Sequence, residues 1–386
     1  MHNQHIVVIG SGLVGATFIA AAARLGCHIT LLDKTPLVSI SDERPISLSY
    51  PTVILLKNLG LWASLEKHAT PILQVHVSEQ GRLGSLLLKA SDTSYQALGY
   101  VIPYHVLEKT LYEHAIESDF VKHVIVDDIV SIHEADHVAV TFLSQQGEQT
   151  VIADQLIAAD GVNSRCRQLL NINATETSHH DIAVTALMVC QQQHQGIAYE
   201  RFTKHGILAL LPMWDCHQYR LVWTVNNDYF LSISEEDRIA IVKAAFETRI
   251  GSIVSFEQQG HYPLKTVMAQ QQATTHAVLL GDSAHRIYPV AAQGYNLAIR
   301  DIAMLIDILH EKKSLGDYVN HRKSDQQFTT KFTEGLEIIF GLHVPLLDHV
   351  RAMSLFAVDL LPFVKRQLIR QILGQAGRQP SLLCEE

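Results

Sequence analysis

The feature that most constrains this chain is a glycine-rich turn between a short apolar run and an alanine-rich segment near the N-terminus. His5-Ile6-Val7-Val8-Ile9 is rich in β-branched residues and predicts a buried parallel strand. Gly10-Ser11-Gly12-Leu13-Val14-Gly15 follows at once, and residues 16–25 then predict a helix that Gly26 ends. Residues 28–32 predict a second strand. This order of strand, glycine turn, helix and strand predicts a doubly wound α/β domain.

The spacing within this segment is the one that a bound dinucleotide requires. Gly10 permits the tight turn, Gly12 lets the backbone approach a pyrophosphate, and Gly15 lets the helix pack close to the strand. The helix N-terminus offers free N–H groups to the phosphates. Asp33 ends the second strand, where an acid can bind ribose hydroxyls and disfavours a 2′-phosphate, so FAD or NAD fits better than NADP. The candidate cofactor-binding residues here are Gly10, Gly12, Leu13, Val14, Gly15 and Asp33.

A second motif follows a strand predicted over residues 151–159, which two polar residues interrupt. It begins with Asp160-Gly161 and continues through Ser164 to Arg167. A small acidic turn after a strand is common and by itself is more often structural than functional. Asp160 and Gly161 become candidate binding residues only together with the other motifs.

A third motif follows an apolar strand predicted over residues 277–280. Gly281-Asp282 ends this strand with an acid that can bind a ribityl or ribose hydroxyl. Backbone N–H groups near Gly294, ahead of a helix predicted over 297–309, can polarise the pyrimidine edge of a flavin and stabilise negative charge on the reduced ring. The candidates here are Gly281, Asp282, Pro289, Gln293, Gly294 and Asn296.

Composition narrows the class of protein further. The chain has 386 residues, enough for two domains or one large one, and is 47% hydrophobic and 18% charged. Its formal charge of -9 argues against a general nucleic-acid binder, because phosphate contacts need clustered Lys and Arg. Five Cys without a CxxC pair favour a reducing compartment. No signal peptide or long apolar stretch is evident, so we expect a cytoplasmic protein.

Together the three motifs, GxGxxG, ADGxxSxxR and GDxAHxxxP, resemble the flavoprotein monooxygenases typified by para-hydroxybenzoate hydroxylase. Within that class the chain is most similar to the ubiquinone-biosynthesis hydroxylases, the 2-polyprenyl-6-methoxyphenol hydroxylase-like family. Further stretches carry the resemblance over nearly the whole chain: Asp42 to Ser49, Val75 to Gly81, Pro289 to Asp301, Tyr318 with Arg322, and Leu361 to Arg366.

The resemblance implies an α/β fold, with a Rossmann-like FAD-binding domain, an inserted antiparallel-sheet substrate domain and a C-terminal helical segment. The expected FAD-binding domain is discontinuous and covers residues 1–75, 97–175 and 265–330. The expected substrate domain covers 76–96 and 176–264, as a sheet that roofs the flavin. Residues 331–386 form the expected helical region, interrupted at Pro345 and Pro362.

The resemblance also implies roles for individual residues. The first motif holds the adenosine and pyrophosphate end of FAD, and Arg44 reaches the pyrophosphate or the flavin. Asp160 and Gly161 belong to a motif that the family links to both FAD and NAD(P)H. Asp282 contacts the ribityl chain, and residues 289–296 border the isoalloxazine ring. No pattern of His or Cys supports a metal site.

Two positions depart from the family. Ala292 stands where the subfamily has the first glycine of Gly-Gln-Gly, and its methyl group would be strained if the backbone there were left-handed. His105 stands where many relatives carry an arginine, and a histidine is a shorter partner for a phosphate or a ring carbonyl.

The activity that the resemblance implies is hydroxylation of the aromatic ring of a polyprenylated phenol in ubiquinone biosynthesis. NADH or NADPH, bound transiently, reduces FAD, and O2 then gives a C4a-hydroperoxyflavin that delivers oxygen to the ring. His285 and Tyr288 are weak candidates for catalytic groups. Two alternatives stay open, namely hydroxylation of a small soluble phenol and a non-catalytic subunit of a quinone-synthesis complex.

The C-terminal segment is apolar and ends in a basic stretch. Apolar side chains recur through residues 346–361, and Lys365, Arg366 and Arg370 follow. One interpretation is a helical cap that packs on the core with a solvated basic end. The other is a peripheral contact with the inner face of a membrane, or with a quinone-synthesis complex, through which a polyprenyl substrate enters.

Overall fold

The computed structural model of the chain describes residues 4–34, 44–82, 84–341 and 345–385. Its strands are β1 (His5–Ile9), β2 (His28–Asp33), β3 (Pro45–Ser49), β4 (Thr70–Ile72), β5 (Gln74–Glu79), β6 (Ser85–Lys89), β7 (Gly99–Pro103), β8 (Val121–Ile125), β9 (Asp128–Glu134), β10 (Val138–Ser144), β11 (Gly147–Ala153), β12 (Gln155–Ala158), β13 (Ala174–Cys190), β14 (Ile197–Thr203), β15 (Gly206–Pro212), β16 (Gln218–Asn226), β17 (Ile253–Ala269), β18 (Ala277–Leu279) and β19 (His285–Arg286). Its helices are α1 (Leu13–Arg24), α2 (Tyr50–Asn58), α3 (Trp62–Leu65), α4 (Tyr104–Ile116), α5 (Arg165–Leu169), α6 (Asn227–Ser232), α7 (Glu235–Ile250), α8 (Gln293–His310), α9 (Leu315–Gly341), α10 (Pro345–Leu360) and α11 (Pro362–Ile372).

A five-stranded parallel sheet forms the centre of the nucleotide-binding part, in the order β18-β12-β1-β2-β8. Ile6, Val7 and Val8 of β1 are fully buried because layers cover both faces of the sheet. Helices α1, α4 and α8 pack on one face, and the small antiparallel sheet β9-β10-β11 packs on the other. The predicted Rossmann-like architecture is confirmed.

The prediction of one strand over residues 151–159 is wrong. The segment forms two strands in different sheets, β11 beside β10 and β12 beside β1. Asp154 lies between them, and its Oδ2 accepts a hydrogen bond from the backbone N–H of His5 at 2.8 Å. The polar interruption in the sequence therefore marks the point where the chain passes from one sheet to the other.

The roof is an eight-stranded sheet in the order β19-β17-β13-β16-β15-β14-β5-β6. Its pairs are antiparallel except for β5 with β14, which is parallel, so the expected antiparallel insertion contains one exception. Helix α7 covers one face, where Phe246 packs on Trp223 and Tyr199. The strands at 74–89 thus share a sheet with those at 174–269, while the expected domain boundaries stay a prediction.

The C-terminal part is helical, as predicted. Buried ion pairs join α8 to α9: Arg300 Nε lies 2.8 Å from Asp325 Oδ2, and Arg322 Nε lies 2.5 Å from Asp301 Oδ1. Helix α11 packs Ile369 against the apolar side of β6. Among the described helices, none combines the length and the apolar character needed to cross a bilayer.

Candidate functional site

The glycines of the first motif have different local requirements. Gly10 has φ +99°, and a Cβ there would lie 2.5 Å from the carbonyl oxygen of Ala159. A Cβ on Gly15 would lie 1.9 Å from the carbonyl oxygen of Gly10, so the helix can approach the strand only with glycine at this position. A Cβ on Gly12 would meet nothing within 4 Å, because Gly12 faces open space beside the start of α1.

The N-terminus of α1 has backbone N–H groups that no side chain caps. Helix α1 begins at Leu13, directly after Gly12, and the residue before the helix makes no side-chain capping bond. Four N–H groups at a helix start lack partners within the helix, and together with the helix dipole they favour an anion. The open space at Gly12 adjoins this end of the helix. A pyrophosphate would satisfy both features.

Asp33 lies beside the glycine turn, at the end of β2. Its carboxylate accepts hydrogen bonds from the backbone N–H of Ser11 at 3.2 Å, from the Ser11 hydroxyl and from the backbone N–H of Lys34 at 2.7 Å. These bonds fix the carboxylate next to Gly10 to Gly12. Its expected role toward a ribose stays a prediction.

The three motifs lie side by side because the strands that precede them are neighbours in the parallel sheet. Strand β1 ends at Ile9, β12 at Ala158 and β18 at Leu279, and the sheet places β12 between the other two. Gly281, with φ +60°, packs so closely on the first motif that a Cβ there would lie 2.8 Å from a Val14 methyl group. Ligands of open α/β sheets bind at the carboxyl ends of the strands.

Arg167 joins the second motif to the third and was given no role from the sequence. Its side chain is 5% exposed. Its Nη1 donates to the carbonyl of Ser283 at 2.9 Å, and its Nη2 donates to the carbonyl of Val162 at 3.0 Å. The sequence shows Arg167 as the last residue of the second motif, but that motif does not reveal its partner Ser283 in the third motif.

Asp160 and Gly161 shape the turn between β12 and α5. Asp160 accepts from the Ser164 hydroxyl at 2.6 Å and from the backbone N–H of Cys166 at 2.9 Å, and Gly161 has φ +81°. The carboxylate is thus engaged in starting α5. A contact with FAD or NAD(P)H stays a prediction for both residues.

Asp282 lies in a recess at the end of β18. Half of its side chain is exposed, at 51%, yet the protein atoms around it raise the pKa of its carboxyl, an effect that Arg286 and His285 oppose. Exposure and desolvation occur together when a group lines a concave surface. A hydroxyl-rich chain such as ribityl would find there an acceptor open to a ligand.

Both weak catalytic candidates are buried and bonded to carboxylates of the protein. His285 Nε2 lies 2.6 Å from Asp301 Oδ2, and the Tyr288 hydroxyl donates to Asp181 Oδ2 at 2.9 Å. His285 is 2% exposed and Tyr288 is also 2% exposed. These contacts anchor the loop after β19 to α8 and to the roof.

Asn296 holds the loop before α8 through four hydrogen bonds. Its Oδ1 accepts from the Ser49 backbone N–H and from the Thr52 hydroxyl, each at 2.8 Å. Its Nδ2 donates to the carbonyl of Ser47 at 2.9 Å and to that of Ala292 at 2.8 Å. All four hydrogen bonds of this amide are made to protein groups, so Asn296 positions the loop.

The loop that Asn296 holds turns into α8 through two left-handed alanines. Ala291 has φ +57° and Ala292 has φ +49°. This turn starts α8 at Gln293, four residues earlier than the predicted start at 297. No side chain caps the start of α8, and a Cβ on Gly294 would meet nothing within 4 Å. This helix start therefore repeats the open, N–H-rich surroundings of α1, while Pro289 lies exposed beside it.

Arg44 and His105 lie near one another, just before β3 and at the start of α4 respectively. The Arg44 guanidinium lies over the rings of Tyr104, at 5.3 Å, and of Tyr262 on β17, at 5.0 Å. His105 is half-buried and is the second residue of α4. Their contacts with a cofactor stay predictions. Asp42 and Glu43, which belong to the same stretch of resemblance, lie outside the described residues.

Glu200 on β14 is a carboxylate that the sequence analysis missed. It lies beside the loop of residues 287–292, between β19 and α8, which is called the flavin loop below. Its Oε1 accepts a hydrogen bond from the backbone N–H of Ala291 at 3.3 Å. Burial raises the pKa of Glu200 to about 7, and the bond from Ala291 opposes the rise. An acid in the middle of a strand-like run has no signature of its own, so only the folded chain reveals its position.

An apolar recess of about 100 Å³ lies between this loop and the C-terminal helices. Its wall includes Ala291 and Asn296 from the loop, Val75 and Leu88 from the roof, and Ile369 from α11. It connects the loop before α8 with the surface that α11 covers.

These residues fit a bound FAD. Two helix starts without side-chain caps, the open space at Gly12 and Gly294, and the recessed carboxylate of Asp282 all surround the carboxyl ends of β1, β12 and β18. Among the described residues, no group of three or more His, Cys, Asp or Glu is arranged to hold a metal ion.

Comparison with known proteins gives the same cofactor. The FAD binding domain family model matches residues 3–314. The chain is 25% identical to 3-demethoxyubiquinol 3-hydroxylase of Escherichia coli (strain K12), over 97% of this chain and 100% of that protein. It is 28% identical to ubiquinone hydroxylase UbiM of Neisseria meningitidis, over 97% of this chain and 81% of that protein. The resemblance to the ubiquinone-biosynthesis hydroxylases is confirmed.

Solved structures share the fold. The crystal structure of p-nitrophenol 4-monooxygenase PnpA from Pseudomonas putida DLL-E4 matches with a TM-score of 0.78 at 16% identity, over 98% of this chain and 100% of that chain. The OxyS anhydrotetracycline hydroxylase from Streptomyces rimosus matches with a TM-score of 0.72 at 18% identity, over 98% of this chain and 77% of that chain.

Proposed function

This chain belongs to the FAD binding domain family, and we propose that it uses FAD to hydroxylate the aromatic ring of a polyprenylated phenol in ubiquinone biosynthesis. The chain is an FAD-dependent aromatic-ring monooxygenase. The single observation that carries the proposed substrate is that relatives named as ubiquinone hydroxylases align over nearly the whole chain, roof and C-terminal helices included.

Different residues of the site would hold different parts of the cofactor. The N-terminus of α1 would receive the pyrophosphate, with Asp33 toward the ribose and Asp282 toward the ribityl chain. The N-terminus of α8 at Gly294 would face the flavin ring and favour negative charge on it. Bound FAD, reduced by NADH or NADPH, supplies the activated oxygen that derives from O2.

The roof sheet keeps water away from the reacting ring. Ala183 and Leu264 of the roof pack with Tyr288 and Val290 of the loop after β19, so roof and loop form one apolar cluster. Such exclusion matters for this chemistry, because water access turns activated oxygen into hydrogen peroxide without hydroxylating the substrate. We propose that the roof orients the phenol over the loop.

The apolar recess supports a substrate with a prenyl tail. Val75, Leu88 and Ile369 provide a wall without charge that starts at the flavin loop and ends under α11. A small soluble phenol would gain nothing from this wall, whereas a prenyl chain would bury apolar area at about 25 cal/mol per Å².

We also propose that the outer surface of α10 and α11 is a peripheral membrane contact. Exposed apolar side chains concentrate there: Met353, Phe356, Leu360, Leu361, Phe363 and Val364. Phe363 is 81% exposed. Arg366 and Arg370 are exposed beside them and would attract anionic headgroups toward a chain of net charge -9.

The function is tested by mass spectrometry of the prenylated quinone pool in cells from which the gene has been removed. We expect an intermediate that lacks one ring oxygen to accumulate, and its fragmentation gives the ring position. An unchanged pool in cells that hold no second hydroxylase of this family would contradict the proposed substrate and favour the small-phenol alternative.

A further inference from the structure

Glu200 projects from the face of the roof that is turned to the flavin loop. In the registers of the sheet it lies beside Val77 on β5 and Ala209 on β15. Two residues further along the strand, Phe202 pairs with Ile207, which packs on the cluster of Tyr288 and Val290. Residues two apart on a strand share a face. The bond from the Ala291 N–H gives the same orientation directly.

The surroundings of this carboxylate are apolar, and one of its oxygens is available. Among the described residues, Oε1 has one hydrogen-bond donor, the N–H of Ala291, and Oε2 has none. Charged or titratable groups on the packed elements are Glu79 on β5, Arg220 on β16 and Tyr288 on the loop, whose hydroxyl is bonded to Asp181. None of them sets the pKa of Glu200; burial does.

We propose that Glu200 is the proton acceptor for the phenol hydroxyl of the substrate. This inference rests on the proposed function. The phenol O–H bond breaks, the proton passes to Oε2 of Glu200, and the electron pair stays on the phenol oxygen, where it enriches the ring for attack on the activated oxygen. The new carbon–oxygen bond forms as the oxygen–oxygen bond of the activated oxygen breaks, and the proton of the ring carbon passes to the oxygen that leaves. Glu200 then returns the first proton to the phenol oxygen of the aromatic product.

The position of Glu200 suits this task in two ways. A carboxylate with an ordinary pKa of about 4.3 is a weak base at neutral pH, whereas one that titrates near 7 is matched to it. The bond from Ala291 ties the base to the loop that borders the flavin, so base and loop keep a fixed relation.

The variant Glu200→Gln distinguishes a role in proton transfer from a role limited to holding the loop. Glu200→Gln keeps an oxygen that can accept from the Ala291 N–H but removes the proton-accepting charge. If Glu200 only positions the loop, this variant behaves like the wild type. Glu148→Gln, at an exposed position on β11, is the matched control.

The test measures kcat/KM for hydroxylation of a short-chain prenylphenol between about pH 5.5 and about pH 8.5, with the FAD-loaded protein. For the wild type and Glu148→Gln we expect a rise of about tenfold per pH unit below about pH 7 and a plateau above it. For Glu200→Gln we expect a loss of about 10²-fold or more at the plateau and no inflection near pH 7. A wild-type profile in Glu200→Gln would overturn the inference.

A second measurement does not depend on activity. An infrared difference spectrum of the flavin-free protein between about pH 6 and about pH 8 reports protonated carboxyl groups that titrate in this range. We expect a band in the wild type and in Glu148→Gln that is absent from Glu200→Gln, and the same band in all three would overturn the inference. If the wild type hydroxylates no prenylphenol, the proposed function and this inference are both wrong. If the wild type does hydroxylate a prenylphenol and Glu200→Gln has the same pH profile and the same infrared band, the inference alone is wrong.

Discussion

At the scale of single residues, the two alanines before α8 hold a backbone conformation that favours glycine. A left-handed conformation costs an L residue about 1–2 kcal/mol. Ala291 and Ala292 keep it because Glu200 accepts from the Ala291 N–H and Asn296 donates to the Ala292 carbonyl. The strain that the sequence predicted for a methyl group at Ala292 is therefore present in the structure.

We expect Ala292→Gly to stabilise the protein slightly, by about 0.5 kcal/mol. The relief of strain exceeds the about 0.5–1 kcal/mol that glycine loses through the greater freedom of its unfolded chain. Urea unfolding measures the change. The control is Ala240→Gly on the exposed side of α7, which should destabilise by about 1 kcal/mol. Equal destabilisation by both variants would contradict the left-handed geometry at Ala292.

Arg167 is the second residue whose replacement has a specific consequence. Arg167→Lys offers one compact donor to two carbonyls, those of Ser283 and Val162, so at least one buried carbonyl loses its partner. We expect a loss of about 1–3 kcal/mol of stability and weaker retention of FAD during gel filtration. Arg24→Lys, at an exposed position on α1, is the control and should change neither. Unchanged FAD retention in Arg167→Lys would show that the bridge between the motifs does not shape the cofactor site.

At the scale of elements, the junction of α8 with α9 contains a fully buried carboxylate, that of Asp301. Asp301 accepts from Arg322 Nε at 2.5 Å and lies 2.6 Å from His285 Nε2. Burial alone would raise the pKa of Asp301, but Arg322 and His285 lower it well below its usual range. The ion pair therefore stabilises the fold above the unfolded pKa of about 3.9 and loses this effect as the pH falls below it.

We expect Asp301→Asn to cost about 3–5 kcal/mol at neutral pH, because it leaves two buried arginines, Arg300 and Arg322, with the Asp325 carboxylate as their shared ion-pair partner. The difference from the wild type should shrink by about 1.4 kcal/mol for each pH unit below about 4. Urea unfolding at about pH 7 and at about pH 3 gives both values, with the exposed Asp119→Asn as control. A difference that does not change with pH would mean that folding leaves the pKa of Asp301 unshifted, and this result would contradict the stabilising ion pair.

The elements near the motifs could be predicted from the sequence because local signals specify them. The strand at 5–9 and the strand at 28–32 follow from runs of apolar and β-branched residues, and the structure has them within one residue. The start of α8 could not be predicted, because two alanines hold a conformation that only the side chains of Glu200 and Asn296 support. The bridge made by Arg167 could not be predicted either, because Ser283, one of its two partners, lies in a distant motif.

At the scale of the whole molecule, the recess lies between the flavin loop in the interior and α11 at one surface. The recess has loop residue Ala291 at one end and Ile369 of α11 in its wall. Beyond α11 lies the exposed apolar surface of α10 and α11. The recess that we propose for the prenyl tail is therefore next to the surface that we propose as a membrane contact.

We expect the protein to sediment with vesicles of phosphatidylglycerol and phosphatidylcholine and less with phosphatidylcholine alone, because Arg366 and Arg370 contribute about 1 kcal/mol each toward anionic lipid. The double variant Leu360→Ser with Phe363→Ser should lose about tenfold or more in binding. Trp214→Ser, 72% exposed on the turn after β15, is the control.

Two results would contradict the membrane contact. One is equal sedimentation of the double variant and the wild type. The other is a change of oligomeric state in the double variant, seen by light scattering, in a protein that never binds vesicles. In that case the surface of α10 and α11 is a contact with protein.

Hydroxylation can be followed directly with purified, FAD-loaded protein, a prenylphenol, NADH or NADPH, and ¹⁸O2. We expect one ¹⁸O atom in the ring of the product and reductant consumption that matches the hydroxylated product. Reductant consumption that yields only hydrogen peroxide with prenylphenols, while a small soluble phenol gains ¹⁸O, would contradict the proposed function.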